Sequence, residues 1–312
     1  MFYYFIIIII LIILYYFLLF FIIIIILIIL YYYRKKPFKG YDDLLNDYKY
    51  FKYTSGGIPK IIIKKSWQTQ DNFPPILTST LNDIIKLNPE YNLYYFNDID
   101  SAKFMKSYSQ RAYNAYNKLI PEAYKADLFR YCIIEKYGGC YTDIGHVFYT
   151  SFDDICEDCK MVLVKDMYCA GIQISLMCSY PHNPYFIKLV NECINNIKNE
   201  YYGYNCLSIT GPTFAGTVFY KYLLNLEYNN ENDFTNTDYF NKYIKRGKFD
   251  DIKFLELIIN GEVETTHNDN TYIVDSNNNT LLRCKFQYYY YIMYYNRTVP
   301  YYVDCWNNGT IY

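Results

Sequence analysis

Between Phe2 and Tyr33 the 312-residue sequence has no charged residue. Its 30 Lys and Arg and 31 Asp and Glu all follow that stretch, so one apolar end precedes a body of ordinary charge content. A basic excess is also lacking. The net charge is −1, which leaves nothing to neutralise a phosphate backbone, and no nucleic-acid partner is expected. No second stretch is long and apolar enough to span, which excludes a polytopic membrane protein. Disorder is excluded too, because aromatic and β-branched residues abound while net charge is near zero. No Walker motif, Gly-x-Ser-x-Gly or His-Glu-x-x-His occurs, and no internal repeat is visible. The 43 tyrosines are in surplus, and with the Ile, Asn, Lys and Phe richness they reflect a biased coding composition more than function.

The charge-free segment reads as a membrane anchor. As a helix it would run about 48 Å against a hydrocarbon core of about 30 Å, which allows one span and not two. Tyr3, Tyr4, Tyr31, Tyr32 and Tyr33 suit the two interfaces, leaving Phe5–Leu30 for the hydrocarbon. The apolar run is too long for a signal peptide, and no small-residue cleavage site follows it. The expected organisation is therefore an anchor over 1–33, a stem over 34–56 and a single domain over 57–312. Arg34, Lys35, Lys36 and Lys39 follow the span and no Lys or Arg precedes it, so charge bias alone would keep the body cytoplasmic.

In the body, Ile61-Ile62-Ile63 predicts a short buried strand and Tyr91–Phe96 a second. Pro74-Pro75 opens a helix that Asn88-Pro89 stops, and another runs from Pro121-Glu122 to about Lys136. Met161–Val164 and Ile172–Met177 read as strands, and Tyr185–Ile197 and Thr213–Leu226 as helices. Residues 228–251 read as an Asn-rich surface insertion and 252–303 as strand-rich. Alternating strands and helices predict an α/β domain with a largely parallel sheet.

The residues that carry chemistry lie close together. Asp127 and Arg130, three apart, share a helix face. Taken alone, such a pair is most often a plain ion pair. An Arg fork can also grip a diphosphate bidentately, while a neighbouring carboxylate takes sugar hydroxyls. Gly138-Gly139 then ends the helix, and Cys140-Tyr141-Thr142 delivers Asp143 to a strand's carboxyl end, where open α/β sheets bind ligands.

These residues resemble the glycosyltransferases with a DXD sugar-binding region (glycosyltransferase family 32), which include fungal initiating mannosyltransferases. Five blocks, spread over about residues 58–215, carry the resemblance in order. They are Ile58-Pro59-Lys60-Ile61-Ile62 with Ser66-Trp67, Asn88-Pro89-Glu90-Tyr91 through Asp98, Ala126–Tyr131 with Gly138–Asp143, Pro181-His182-Asn183-Pro184, and Thr210-Gly211-Pro212. The resemblance implies a GT-A type, Rossmann-like nucleotide-sugar-binding domain behind one transmembrane helix. It also implies a nucleotide-sugar donor, a glycan, glycolipid or glycoprotein acceptor, retention at the anomeric carbon, and a secretory, Golgi-like membrane. Trp67 would stack near the base, Asp127 and Arg130 would hold the donor, and Tyr141 and Asp143 would flank the sugar and diphosphate. Asp127, Arg130 and Asp143 would be the catalytic set.

The sequence departs from the pattern at Asp143-Ile144-Gly145, where the family has Asp-x-Asp. The second Asp is the usual ligand of Mn²⁺ or Mg²⁺, and Gly145 has no oxygen to offer such hard cations. Three readings stay open. Asp143 holds the ion with another group such as His146 or Asp304; Arg130 and a nearby Lys or His take the leaving-group charge without metal; or activity is lost and the chain only binds a glycan or nucleotide sugar. Gln173 or Ser175 stands where the family often has Asn, and Asp304-Cys305-Trp306 where it often has a His before Ser-Trp. Trp306 would close over the donor as the end of a lid, or simply pack. The ten cysteines include a lone Cys156-x-x-Cys159 pair, poor ground for a four-ligand zinc site. Glycosylation sequons at Asn278, Asn296 and Asn308 are no more than chance supplies in so Asn-rich a chain.

Overall fold

The computed structural model describes residues 2–34, 38–167, 169, 171–225, 247–249, 251–260, 270–294 and 300–312. The chain divides into two compact units, Met1–Phe38 and Lys39–Tyr312. In the first, helix α1 spans Phe2–Arg34. Its stretch Ile9–Leu27 is long and apolar enough to cross a membrane. Lys35 and Lys36, part of the basic cluster behind the span, lie outside the described residues.

The second unit starts within the segment expected as a stem. Helix α2 (Tyr41–Asp47) buries Tyr41 and Leu44 in the core. Strand β1 (Ile61–Lys65), helix α3 (Pro75–Leu87) and strand β2 (Asn92–Phe96) follow. Next come α4 (Asp98–Tyr108), α5 (Gln110–Lys118), α6 (Glu122–Tyr137), β3 (Gly139–Thr142) and β4 (Val147–Phe148). After α7 (Phe152–Ile155) run β5 (Met161–Lys165), β6 (Ile172–Ser179), α8 (Pro184–Lys198) and α9 (Pro212–Leu223). The remaining elements are β7 (Gly247–Phe249), β8 (Ile252–Ile259), β9 (Thr271–Val274), β10 (Thr280–Arg283), α10 (Tyr289–Tyr294) and α11 (Tyr302–Asn307). The expected insertion over 228–251 falls almost wholly outside the described residues, as does Asn296.

The strands form one mixed α/β sheet in the order β2-β1-β3-β6-β5-β8-β9-β10-β4, with β7 on β8. The β2-β1-β3 portion is parallel, as the sequence predicts for a buried Ile run. The sheet as a whole is not largely parallel. β6 runs antiparallel to both β3 and β5, and β9 and β10 form an antiparallel meander beyond β8. The reason is connection length. Only residues 166–171 separate β5 from β6, too few for the helical crossover that a parallel neighbour needs.

Helix α6 is the central helix. Eleven of its sixteen residues are buried, so it is apolar on nearly all sides rather than amphipathic. It packs on α4, α5 and α8 and lies against β3 and β6. An Asp and an Arg on such a helix need partners inside the protein.

Candidate active site

The site begins at the turn between α6 and β3. Gly138 and Gly139 have φ of +66° and +88°, conformations that side chains other than glycine rarely adopt. A Cβ on Gly139 would lie 2.2 Å from Ile61 Cγ1. The two glycines thus let the helix reverse directly into a strand seated against β1. β3 is only four residues long, and Asp143 emerges at its carboxyl end with its N–H donating to the Ser175 carbonyl of β6 at 2.8 Å.

There the structure brings Asp127, Arg130, Tyr141 and Asp143 together. The Arg130 guanidinium lies 3.3 Å from Asp127 Oδ1 and 3.2 Å from Asp143 Oδ1, and 4.6 Å from the centre of the Tyr141 ring. It donates to the Ile174 carbonyl at 2.6 Å. Arg130 and Asp127 are nearly closed off, while the Asp143 side chain is 27% exposed. Asp143 is therefore the solvent-facing member, with the Arg–Asp pair behind it.

Electrostatics sharpen the arrangement. Burial pushes the Asp127 carboxyl up to about 6, against the pull of Arg130 and of the Thr210 hydroxyl, which donates to Oδ2 at 2.8 Å. Burial alone would weaken the Arg130 cation, but Tyr141, Asp143 and Asp127 hold it firmly protonated. The site thus keeps a permanent buried cation beside a carboxylate that is costly to ionise.

Lys64 was not anticipated from sequence. It sits fully buried on β1 and donates to the Asp143 carbonyl at 2.9 Å. Burial lowers its amine to about 7, with the Asp143 charge opposing. The one available signal was a pair of lysines, Lys64 and Lys65, ending an otherwise apolar buried strand. His146 is also buried; its Nδ1 shares a 2.8 Å hydrogen bond with Thr142 Oγ1. Its Nε2 has no hydrogen-bond partner among the described residues. Burial and the cations Lys64, Lys285 and Arg130 keep the ring neutral.

Position 145 has a steric explanation. A Cβ on Gly145 would lie 2.7 Å from the Tyr289 ring and 3.2 Å from the Cys284 carbonyl. The space that a second Asp would need is occupied by Tyr289 of α10, itself buried. Asp143, His146 and Asp304 do not gather their ligand atoms within one ion's reach. Asp304 is exposed on α11, whereas His146 is buried. Gly145 thus brings no oxygen to a hard divalent cation, and the three candidate ligands do not converge on one.

Several other sequence-predicted residues have positioning contacts. Trp67 follows β1 and is 40% exposed, beside Gln68, whose carbonyl accepts from Tyr95 OH at 2.7 Å. Gln173 Nε2 donates to Asp166 Oδ2 at 3.3 Å and its Oε1 accepts from Ser175 N–H at 3.2 Å. Trp306 packs against the core, and its indole N–H donates to the Tyr202 carbonyl at 2.8 Å. The later sequence blocks also acquire physical roles. Asn183 caps α8 through the Tyr185 N–H, and Thr210 holds Asp127. A cavity of about 250 Å³ lies between α8 and α9, and Asp127, Arg130 and Asp143 do not line it.

Comparison with known proteins adds identity to this geometry. Residues 74–161 match the family described as glycosyltransferase sugar-binding region containing DXD motif. A mannosyl phosphorylinositol ceramide synthase of Saccharomyces cerevisiae is 28% identical over 172 residues, covering 53% of this chain and 43% of that protein. Inositol phosphoceramide mannosyltransferase 2 of Schizosaccharomyces pombe is 26% identical over 166 residues, covering 53% and 47%. The chain thus spans less than half the length of these curated relatives. Among solved structures, the PaToxG glycosyltransferase aligns with a TM-score of 0.45 and 16% identity, over 60% of this chain and 77% of that one. By these matches residues 74–161 resemble the sugar-binding region of the DXD glycosyltransferases, and the chain resembles the fungal inositol phosphoceramide mannosyltransferases.

Proposed function

We propose that the protein is a membrane-anchored, retaining glycosyltransferase that moves a hexose from a nucleotide-sugar donor to a glycan, lipid or protein acceptor. The observation that carries this reading is the Asp127–Arg130–Asp143 array at the carboxyl end of β3. In the reaction, the bond between the anomeric carbon and the diphosphate oxygen breaks, and its electron pair leaves with the nucleoside diphosphate. A new bond forms to an acceptor hydroxyl, whose proton passes to the departing phosphate. Arg130 is a fixed cation where that negative charge develops, and Tyr141 and the Ile174 carbonyl hold its plane. Asp143 accepts hydrogen bonds from the sugar, and Asp127 keeps Arg130 oriented. Lys64, bonded to the Asp143 carbonyl, holds the turn that presents it.

The names of the fungal relatives favour mannose as the sugar and an inositol phosphoceramide-like lipid as the acceptor. An apolar helix able to cross a membrane supports an acceptor at a lipid surface, and family analogy a secretory membrane. Metal dependence has weak support here, because Tyr289 fills the place of the second Asp.

That same substitution favours a second reading, a catalytically inactive protein that binds a glycan or nucleotide sugar. Hydrolysis and transfer would be measured with a panel of nucleotide sugars, with and without Mn²⁺, for wild type, Asp143→Ala and Arg130→Lys. Transfer by wild type and a loss of 10²-fold or so in Arg130→Lys are expected, the scale for removing one aligned charge donor. Nucleotide-sugar binding without turnover of any donor would select the second reading.

A further inference from the structure

All ten cysteines are free thiols, and three of them meet. Cys140 comes from β3, Cys178 from β6 and Cys156 from the end of α7. Their sulfurs lie within 4.8 Å of one another, and all three residues have no exposed surface. Cys140 and Cys178 are directly opposite in the antiparallel ladder, so the sheet register itself pairs them. Cys140 Sγ and Cys156 Sγ are 3.8 Å apart. Thiolates about 2.3 Å from a tetrahedral zinc ion stand about 3.8 Å from each other. A disulfide would need about 2.05 Å.

The chemistry of the cluster suits a thiophilic cation. The three buried sulfurs face one another with only weak S–H donors between them. A cation would replace these weak donors, displacing thiol protons to solvent as the sulfurs ionise. Cys159 completes a Cys-x-x-Cys spacing with Cys156 and is buried too. Its sulfur stands outside the set that lies within 4.8 Å of one another. The backbone here is tightly held. A Cβ on Gly56 would fall 1.3 Å from the Cys159 carbonyl oxygen, so only glycine lets residues 54–57 close over this loop.

We propose that Cys140, Cys156 and Cys178 form a structural site for a soft divalent cation such as zinc, which Cys159 would complete by turning its side chain inward from the Cys156-x-x-Cys159 loop. The cation would tie β3 and β6 to the loop after α7. These two strands also hold the active site. Asp143 lies three residues after Cys140, and the Ser175 carbonyl that receives the Asp143 N–H lies three residues before Cys178.

The test uses the full chain in detergent, purified under reducing conditions without chelator, and does not depend on sugar transfer. Elemental analysis is expected to find about one zinc per chain, and exchange with Co²⁺ to give intense thiolate-to-cobalt charge-transfer absorption. Cys178→Ser should lose the metal, whereas Cys132→Ser, which removes a buried cysteine outside the cluster, should keep it. A chelator should lower the unfolding midpoint of wild type. If Cys178→Ser fails to fold, the wild-type metal content and cobalt spectrum still decide. Folded wild type that holds no zinc and takes up no cobalt would overturn the proposal, as would a Cys140–Cys156 disulfide found by mass spectrometry.

Discussion

Asp127→Asn separates the stability of this site from its function. The buried carboxyl titrates at about 6 in the folded chain, against 3.8 for an ordinary aspartate. That difference corresponds to about 3 kcal/mol. For a carboxyl whose folded value is raised, the native state binds more protons than the unfolded chain. Its contribution is therefore most favourable below about pH 4, declines as pH rises to about 6, and is constant above. Asn does not titrate, and its side-chain oxygen can still accept from Thr210. The stability of Asp127→Asn relative to wild type should thus rise by about 3 kcal/mol between pH 3.5 and 7, because other carboxyls cancel in the difference. Urea unfolding of both proteins in the same detergent, followed by fluorescence across that range, measures it. A difference that stays flat over these pH values would refute the view that burial dominates Asp127. Under the proposed function, transfer falls in the variant even as stability rises.

The remaining predictions follow from single contacts. Lys64→Met should be more stable than wild type at pH 7, with the gap closing toward pH 10, since burial lowers the folded amine to about 7. Unfolding at several pH values checks this, and a gap that widens with pH would contradict it. Gly145→Asp should cost about 1–3 kcal/mol by overpacking against Tyr289, and Tyr289→Ala should relieve much of that loss. Thermal midpoints of the single and double variants test the coupling, and strictly additive effects would argue against the contact. Trp306→Phe should lose about 1 kcal/mol with the Tyr202 hydrogen bond while leaving donor KM unchanged. A large KM increase would instead point to a lid.

Much of the fold was legible because local patterns carried it. The Ile61–Ile63 run reads as a doubly covered strand, and it is one. Pro121 and Gly138 bracket α6, although Pro121 sits at the N-cap, one residue before the first helical position expected for it. The parallel-sheet expectation failed beyond β3, because the direction of β6 depends on a short connection and not on its own apolar residues.

For the site, the sequence alone determined a charge-free helix, the three-residue spacing that puts Asp127 and Arg130 on one helix face, and the Gly-Gly turn that leads to Asp143. These are consequences of helix period, backbone freedom and hydropathy, all short-range. Only the tertiary structure decided that Arg130 bridges both carboxylates, that Thr210 and the Ile174 carbonyl complete their partners, and that Lys64 lies beneath Asp143. It also decided that Tyr289 fills the space beside Gly145 and that three cysteines from three elements meet. Each of these joins residues far apart in the chain. Their burial and mutual charge, which determine whether a group stays ionised, exist only once the chain has folded.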